Sequence, residues 1–410
     1  MADLEHRPPV STQRRDKPPD SPPSHTRRWP AILARSILLL LFIIGFIASM
    51  LPWGRAAIDT TVIIPALVTA SEPLPLRLSG NSIRHTQMTI ASTSGPVFLD
   101  LYMPTTPVPL LSGSRRAILI IPGVGDNRTV PQLVNLAQTL ARSGIVAMTM
   151  ATPTLINYDI SANDTDAVVQ AFKTLARIPG VGAHRIGILA FSGATPLACF
   201  AAADPRIKAE VAYLILFGGY YNAQTLLYTF GKRTMTIDGK TVPWQPDPVP
   251  IEVMTNILAP YLSPADRQLI QNALASGGKP LTTSQIDRLS PTGRAAYQLL
   301  TGSAPSRVKQ NIAQLPPALL SQLYMISPQR VVGQIEAPIF LLHDISDPSI
   351  PFTQSLDFAQ ALARLHHPYR FVELHFFNHV LIETNLQLTQ MLSSATQLAG
   401  VLIQMLQTTS

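Results

Sequence analysis

Ser192 is the residue around which chemistry could be built. It closes the apolar run Arg185-Ile186-Gly187-Ile188-Leu189-Ala190-Phe191 and opens Gly193-Ala194-Thr195-Pro196-Leu197-Ala198-Cys199-Phe200, whose helix-like pattern runs toward Ala203. Strand, tight turn and helix in that order form a nucleophile elbow, in which the serine takes a strained backbone conformation and its hydroxyl stands above the sheet. Strand and helix pass so close there that the residues two before and two after must be small. Here they are Ala190 and Ala194, where the pattern G-x-S-x-G has glycines. A serine hydroxyl is a poor nucleophile until a base takes its proton, so an elbow calls for a histidine and an acid elsewhere in the chain. The same string also suits a serine that merely caps a helix after a strand.

The elements around Ser192 alternate. His85 to Ala91 and Pro96 to Met103 read as a hairpin across Ser92-Thr93-Ser94-Gly95. Ala117-Ile118-Leu119-Ile120-Ile121 is a continuous apolar run, as expected of a strand buried on both faces, and the tight loop Pro122-Gly123-Val124-Gly125-Asp126-Asn127 follows it. Helical periodicity over about Val130 to Arg142 stops at Ser143-Gly144. Then come a strand over Ile145 to Met150, a helix over Asp166 to Arg177, the elbow strand and its helix, and an apolar run from Glu210 to Phe217. Repeated strand–helix units of this length predict a mostly parallel twisted sheet with helices on both faces, an α/β fold.

The rhythm breaks at Gly218-Gly219-Tyr220-Tyr221. Residues 222–334 carry helical patterns, as in Pro264 to Ala275 and Ser284 to Leu300, and no strong strand. The stretch is too long for a loop and is expected to form a mainly helical cap inserted into the sheet domain. Leu226, Leu227, Phe230, Leu319 and Leu323 recur there near helical spacing, as core of the cap or lining of an acyl pocket. Alternation resumes with the strand Ala337 to Leu342, a helix over about Thr353 to Leu365, the strand Tyr369 to Phe376 and a long amphipathic helix from about Glu383. One interrupted domain, 85–221 and 335–410, fits that return.

The chain of 410 residues has 46% hydrophobic and 13% charged residues, enough apolar material for a large core. Its net charge of +7 is modest, and no stretch interleaves basic with aromatic residues, which speaks against a nucleic-acid partner. The one cysteine, Cys199, excludes an internal disulfide and a cysteine-cluster metal site. No metal-ligand spacing and no phosphate-binding G-x-x-x-x-G-K-[ST] occurs, so neither a metal nor a cofactor is expected.

Residues 1–30, rich in proline and charge, are expected to be a disordered tail. Residues 31–53 form an apolar stretch long enough to cross a membrane as a helix, with Trp53 at its boundary. Arg14, Arg15, Lys17, Arg27 and Arg28 precede it and only Arg55 follows closely, which predicts a single-pass cell-membrane anchor with a cytoplasmic N-terminus and an extracytoplasmic catalytic domain. A cleaved signal peptide is the competing reading. Residues 54–84 read as a tether.

Serine, then an acid after a strand, then a histidine after the last strand is the chain order of the α/β-hydrolases, and residues from about 85 to the C-terminus resemble that family. His343-Asp344-x-x-Asp347-x-x-Ile350-Pro351 is similar to its acid loop H-G-x-x-D-x-x-V-P, and Asn378-His379-Val380 to its histidine loop. The resemblance implies a triad of Ser192 as nucleophile, His379 as base and Asp347 as the acid orienting it, with Asp344 the alternative acid. It implies an oxyanion hole from the backbone N–H groups of Gly193 and Val124, although Pro122 stands where the family often has histidine. His343 is expected to support the acid loop, and His375 to be a packed or surface residue. A serine nucleophile also sets the chain apart from the dehalogenases and epoxide hydrolases of the family, which use aspartate. The implied activity is cleavage of a carboxylic ester in a small acyl substrate. Acyl transfer, peptide hydrolysis and a non-catalytic binding role are the alternatives.

Overall fold

Aliphatic runs apolar on both faces can only be buried between two layers, and here they build the middle of one sheet. The structure is a computed structural model, and the residues it describes are 80–108, 113–275, 278–375, 377–378, 381–382 and 396–404. Strands β1 (Ile83–Ser92), β2 (Gly95–Pro104), β3 (Arg115–Ile121), β4 (Val146–Ala151), β5 (Val181–Phe191), β6 (Val211–Phe217), β9 (Ile339–Asp344) and β10 (Tyr369–Leu374) form an eight-stranded sheet. Its order is β1-β2-β4-β3-β5-β6-β9-β10. β2 runs antiparallel to both neighbours, and every other pairing is parallel. This is the expected fold class, a mostly parallel α/β sheet with helices on both faces.

The period of two sorts β3 between two cores. Ala117, Leu119 and Ile121 face one layer, containing Phe172 of helix α2 (Thr165–Ala176) and Leu197 of α3 (Thr195–Ala203). Ile118 and Ile120 face the other, containing Leu133, Leu136 and Leu140 of α1 (Pro131–Arg142) and Leu398 of the helix 396–404. From β3 the chain winds outward to β4, and from β5 it winds the other way to β6. The C-terminal ends of β3 and β5 therefore border the crevice where winding reverses, the place an open α/β sheet offers a ligand.

Between β6 and β9 lie helices with their own apolar cluster, including Leu226, Phe230, Leu258, Leu300 and Leu319. Several begin with proline at the first turn, after Ser263, Ser290 or Asp247, where the missing N–H costs nothing. The single helical pattern expected over Ser284 to Leu300 is two helices, Thr283–Arg288 and Pro291–Thr301. Pro291 holds Ser290 out of the helical region, and the Ser290 hydroxyl accepts from Gly293 N–H (3.0 Å). One hairpin, β7 (Thr234–Ile237) with β8 (Lys240–Pro243), is a strand pair that hydropathy did not predict. Its turn is Asp238-Gly239, both with positive φ (49° and 75°), the pair that a two-residue turn demands.

The ends of this inserted segment are stitched together. Tyr220 Oη donates to Ile326 O (3.0 Å), Ala223 N–H to Ser327 Oγ (2.9 Å) and Gln329 N–H to Tyr221 O (3.2 Å). Among the described residues no helix is long and apolar enough to cross a membrane. The proposed tail and span, residues 1–53, lie outside them, as does most of the tether and the start of the C-terminal helix.

Candidate active site

β5 ends at Phe191, and Ser192 follows with φ +52°, in the left-handed region that costs a non-glycine residue energy. A single 3-10 turn, Ser192–Ala194, leads directly into α3. The reversal is held by Thr195, whose hydroxyl donates to Ser192 O (2.9 Å). Ser192 is half-buried, whereas Gly193, Ala194 and all of α3 are buried, so the serine keeps some exposure at a turn whose other residues are fixed by packing. Ala190 and Ala194 are both fully buried. Methyl groups thus fit where the sequence pattern has glycines.

The loop after β3 comes up against the elbow. A Cβ on Gly123 (φ +91°) would lie 3.4 Å from Phe191 O and 3.6 Å from Ser192 Cβ. A Cβ on Gly193 would meet Val124 Cγ1 at 3.2 Å and Ile160 Cδ1 at 3.0 Å. Ser192, Gly193 and Val124, distant in sequence, are therefore neighbours. Asn127 shapes the loop by donating from Nδ2 to Val124 O (2.7 Å) and Pro122 O (3.2 Å), while Gly125 N–H goes to Leu155 O (2.7 Å). The N–H groups of Val124 and Gly193 donate to no acceptor among the described residues. Two such donors beside a serine suit an oxyanion.

Asn127 was not singled out from the sequence. The signal was an Asx residue closing a Gly-x-Gly turn, where a short amide side chain bonds local backbone. Tyr158 was also missed. It has φ +55°, and its hydroxyl stands 3.3 Å from where a Cβ on Gly125 would be. Asn256 Nδ2 holds the Tyr158 carbonyl (3.1 Å). Beside it, burial raises the Asp159 carboxyl above the ordinary carboxylate value, the Ile160 N–H opposes that rise and the Asp164 charge adds to it.

Asp347 lies beyond the C-terminal end of β9, two strands across the sheet from β5, and is fully buried. Its Oδ1 accepts from the N–H groups of Ser349 (2.7 Å) and Ile350 (2.9 Å), and its main-chain carbonyl accepts from Trp244 Nε1 (2.9 Å). Asp344, the last residue of β9, uses Oδ1 for the N–H and hydroxyl of Ser346 (2.9 and 2.7 Å). His343 is fully buried beneath the loop. Its Nε2 lies 3.0 Å from Ile350 O and 3.3 Å from Asp347 Oδ2, and its Nδ1 lies 2.7 Å from Ser355 Oγ. Because a carbonyl only accepts, Nε2 carries a proton, and His343 is a structural tie within the acid loop. His375 is the first residue beyond β10 rather than within it, and is exposed. His379 lies outside the described residues. The backbone on either side of it is Phe377–Asn378 paired with Leu381–Ile382.

Cys199 is fully buried in α3, and burial raises its thiol far above the ordinary value, so it is an inert filler. Among the described residues no group of three histidine, cysteine, aspartate or glutamate side chains could hold a metal ion.

No protein-family model matches the chain, and the curated proteins give no match. Solved structures of similar fold include an acylaminoacyl peptidase from Pyrococcus horikoshii, at 13% identity and TM-score 0.41, covering 72% of this chain and 37% of that one. A puromycin-hydrolyzing peptidase from Mycobacterium tuberculosis aligns at 15% identity and TM-score 0.47, over 79% of this chain and 39% of that one. A 2,6-dihydroxy-pseudo-oxynicotine hydrolase aligns at 15% identity and TM-score 0.42, over 78% and 68%. The chain thus spans well under half the length of the two peptidases. The likeness is one of fold, and no residue role passes to this chain from it.

Proposed function

We propose that the chain is a serine hydrolase that cleaves a carboxylic ester through an acyl-enzyme. The observation that carries this reading is Ser192 itself, held at φ +52° where β5 meets α3, with the loop of Gly123 and Val124 against it. Ser192 Oγ attacks the acyl carbonyl while His379 takes its proton, and Asp347 orients the imidazole and stabilises its charge. The N–H groups of Gly193 and Val124 receive the developing oxyanion. His379 then protonates the leaving alcohol, and water repeats the sequence to release the acid. The segment between β6 and β9 acts as a cap that selects the substrate, and residues 31–53 anchor the protein with its catalytic part outside the cytoplasm.

A fluorophosphonate probe, which phosphonylates an activated serine, tests this reading. The full chain should label, and Ser192→Ala should abolish both labelling and p-nitrophenyl butyrate hydrolysis, a loss of about 10⁴-fold or more. Undiminished turnover by Ser192→Ala defeats the assignment. Intact cells treated with external protease should lose the catalytic part, and protection until lysis would reverse the orientation.

A further inference from the structure

We infer that Trp244 is a positioning residue through which the cap holds the catalytic acid, an inference that rests on the triad proposed above. Trp244 follows β8 and lies 103 positions before Asp347 in the sequence, yet its Nε1–H donates to the main-chain carbonyl of Asp347 (2.9 Å). Three residues on, Asp247 N–H donates to Pro348 O (3.0 Å). The far side of the loop is tied to the cap as well. Gln354 Oε1 accepts from Tyr221 N–H (3.1 Å) and Asn222 N–H (3.0 Å), and its Nε2 donates to Thr225 Oγ1 (2.9 Å).

The indole is placed, not merely packed. It is buried, meets the Phe230 ring edge-on at 5.3 Å, and its main-chain N–H donates to Arg233 O (2.9 Å). Asp347 is fully buried, so its carbonyl has no water to turn to when that donor is lost. The peptide of Asp347 sets where its carboxylate sits, and Oδ1 is already committed to Ser349 and Ile350. A rotation of this peptide therefore moves the carboxylate that must face the histidine. Displacement of about 1 Å in such a site lowers rate by up to about 10²-fold. An imidazolium less well supported by its acid also has a lower pKa.

The test is Trp244→Phe in the full chain, with p-nitrophenyl butyrate across pH 5 to 9 and fluorophosphonate labelling alongside. The expected result is a fall in kcat of about 10- to 100-fold with KM within about twofold. The acid limb of kcat/KM should move about 0.5 to 1 pH unit lower, because that limb reports the free-enzyme base. Replacing the indole N–H by sulfur, with benzothienylalanine at position 244, keeps the ring and should reproduce the shift even where Trp244→Phe folds poorly. An unchanged acid limb and unchanged kcat in the sulfur variant overturn the inference while leaving the triad intact. A wild-type chain that neither labels nor turns over overturns both.

Discussion

Gly219 and Thr195 stand in direct contact across the top of the sheet, and a Cβ at Gly219 would lie 2.6 Å from Thr195 Cβ. Thr195 is the residue whose hydroxyl holds the Ser192 carbonyl, so the glycine after β6 makes room for the brace of the elbow on β5. Gly219→Ala should push Thr195 off that carbonyl. We expect a loss of about 1–3 kcal/mol in denaturant unfolding and a parallel loss of serine labelling. A variant that labels at the wild-type rate would show that the brace is dispensable.

Asn127 should matter to rate more than to binding. Its amide draws the Val124 and Pro122 carbonyls to one side of the loop. Asn127→Asp replaces that donor with a carboxylate facing two carbonyl oxygens. On the proposed mechanism kcat should fall by about 10²-fold, the scale of one lost oxyanion donor, with KM little changed. Steady-state kinetics on an ester decides it, and a rise in KM at constant kcat would assign the loop to substrate binding instead.

Acid should weaken the protein partly through Asp166. Burial alone would raise this carboxyl, but the N–H of Thr93, the Arg206 guanidinium and the Gln170 amide outweigh it and hold it at about 2. A carboxyl depressed in the folded state contributes stability above its unfolded value of about 3.9, and loses it as pH falls toward the folded value. The wild-type unfolding midpoint should therefore drop between about pH 4 and pH 2. Asp166→Asn should be less stable at neutral pH and show a flatter profile over that window. Equal slopes in urea titrations of the two proteins would exclude Asp166 as a contributor.

Strands were legible where the period of two or an unbroken apolar run was strong, as in Ala117 to Ile121, and so was the elbow, because Ser192 interrupts such a run. Their order was not legible. Nothing local says that β4 lies between β2 and β3, since that depends on which edges meet after collapse. The hairpin β7–β8 escaped because Thr234-Met235-Thr236-Ile237 is short and half-exposed, although Asp238-Gly239 is a strong turn signal. Ser290-Pro291 likewise marked a helix boundary within one continuous periodicity. The tie from Trp244 to Asp347 spans 103 positions and involves a main-chain carbonyl, which leaves no trace in residue type. The resemblance of the acid loop ranked Asp347 above Asp344; what each carboxyl bonds, Ser349 and Ile350 N–H for Asp347 and Ser346 for Asp344, became visible only in the fold.

The stitched ends of the inserted segment have a consequence for how much its length can vary. Because Tyr220 to Ala223 and Ile326 to Gln329 are bonded to each other, the insertion leaves and rejoins the sheet through a single doorway. β6 and β9, the strands on either side of the insertion, are themselves paired in the sheet. Lengthening or replacing the insertion adds loop closure that grows only slowly with length, about 0.6 kcal/mol per doubling. A longer or shorter insertion between the same two ends therefore strains the sheet little, provided it keeps the Trp244 and Asp247 ties that hold the acid loop.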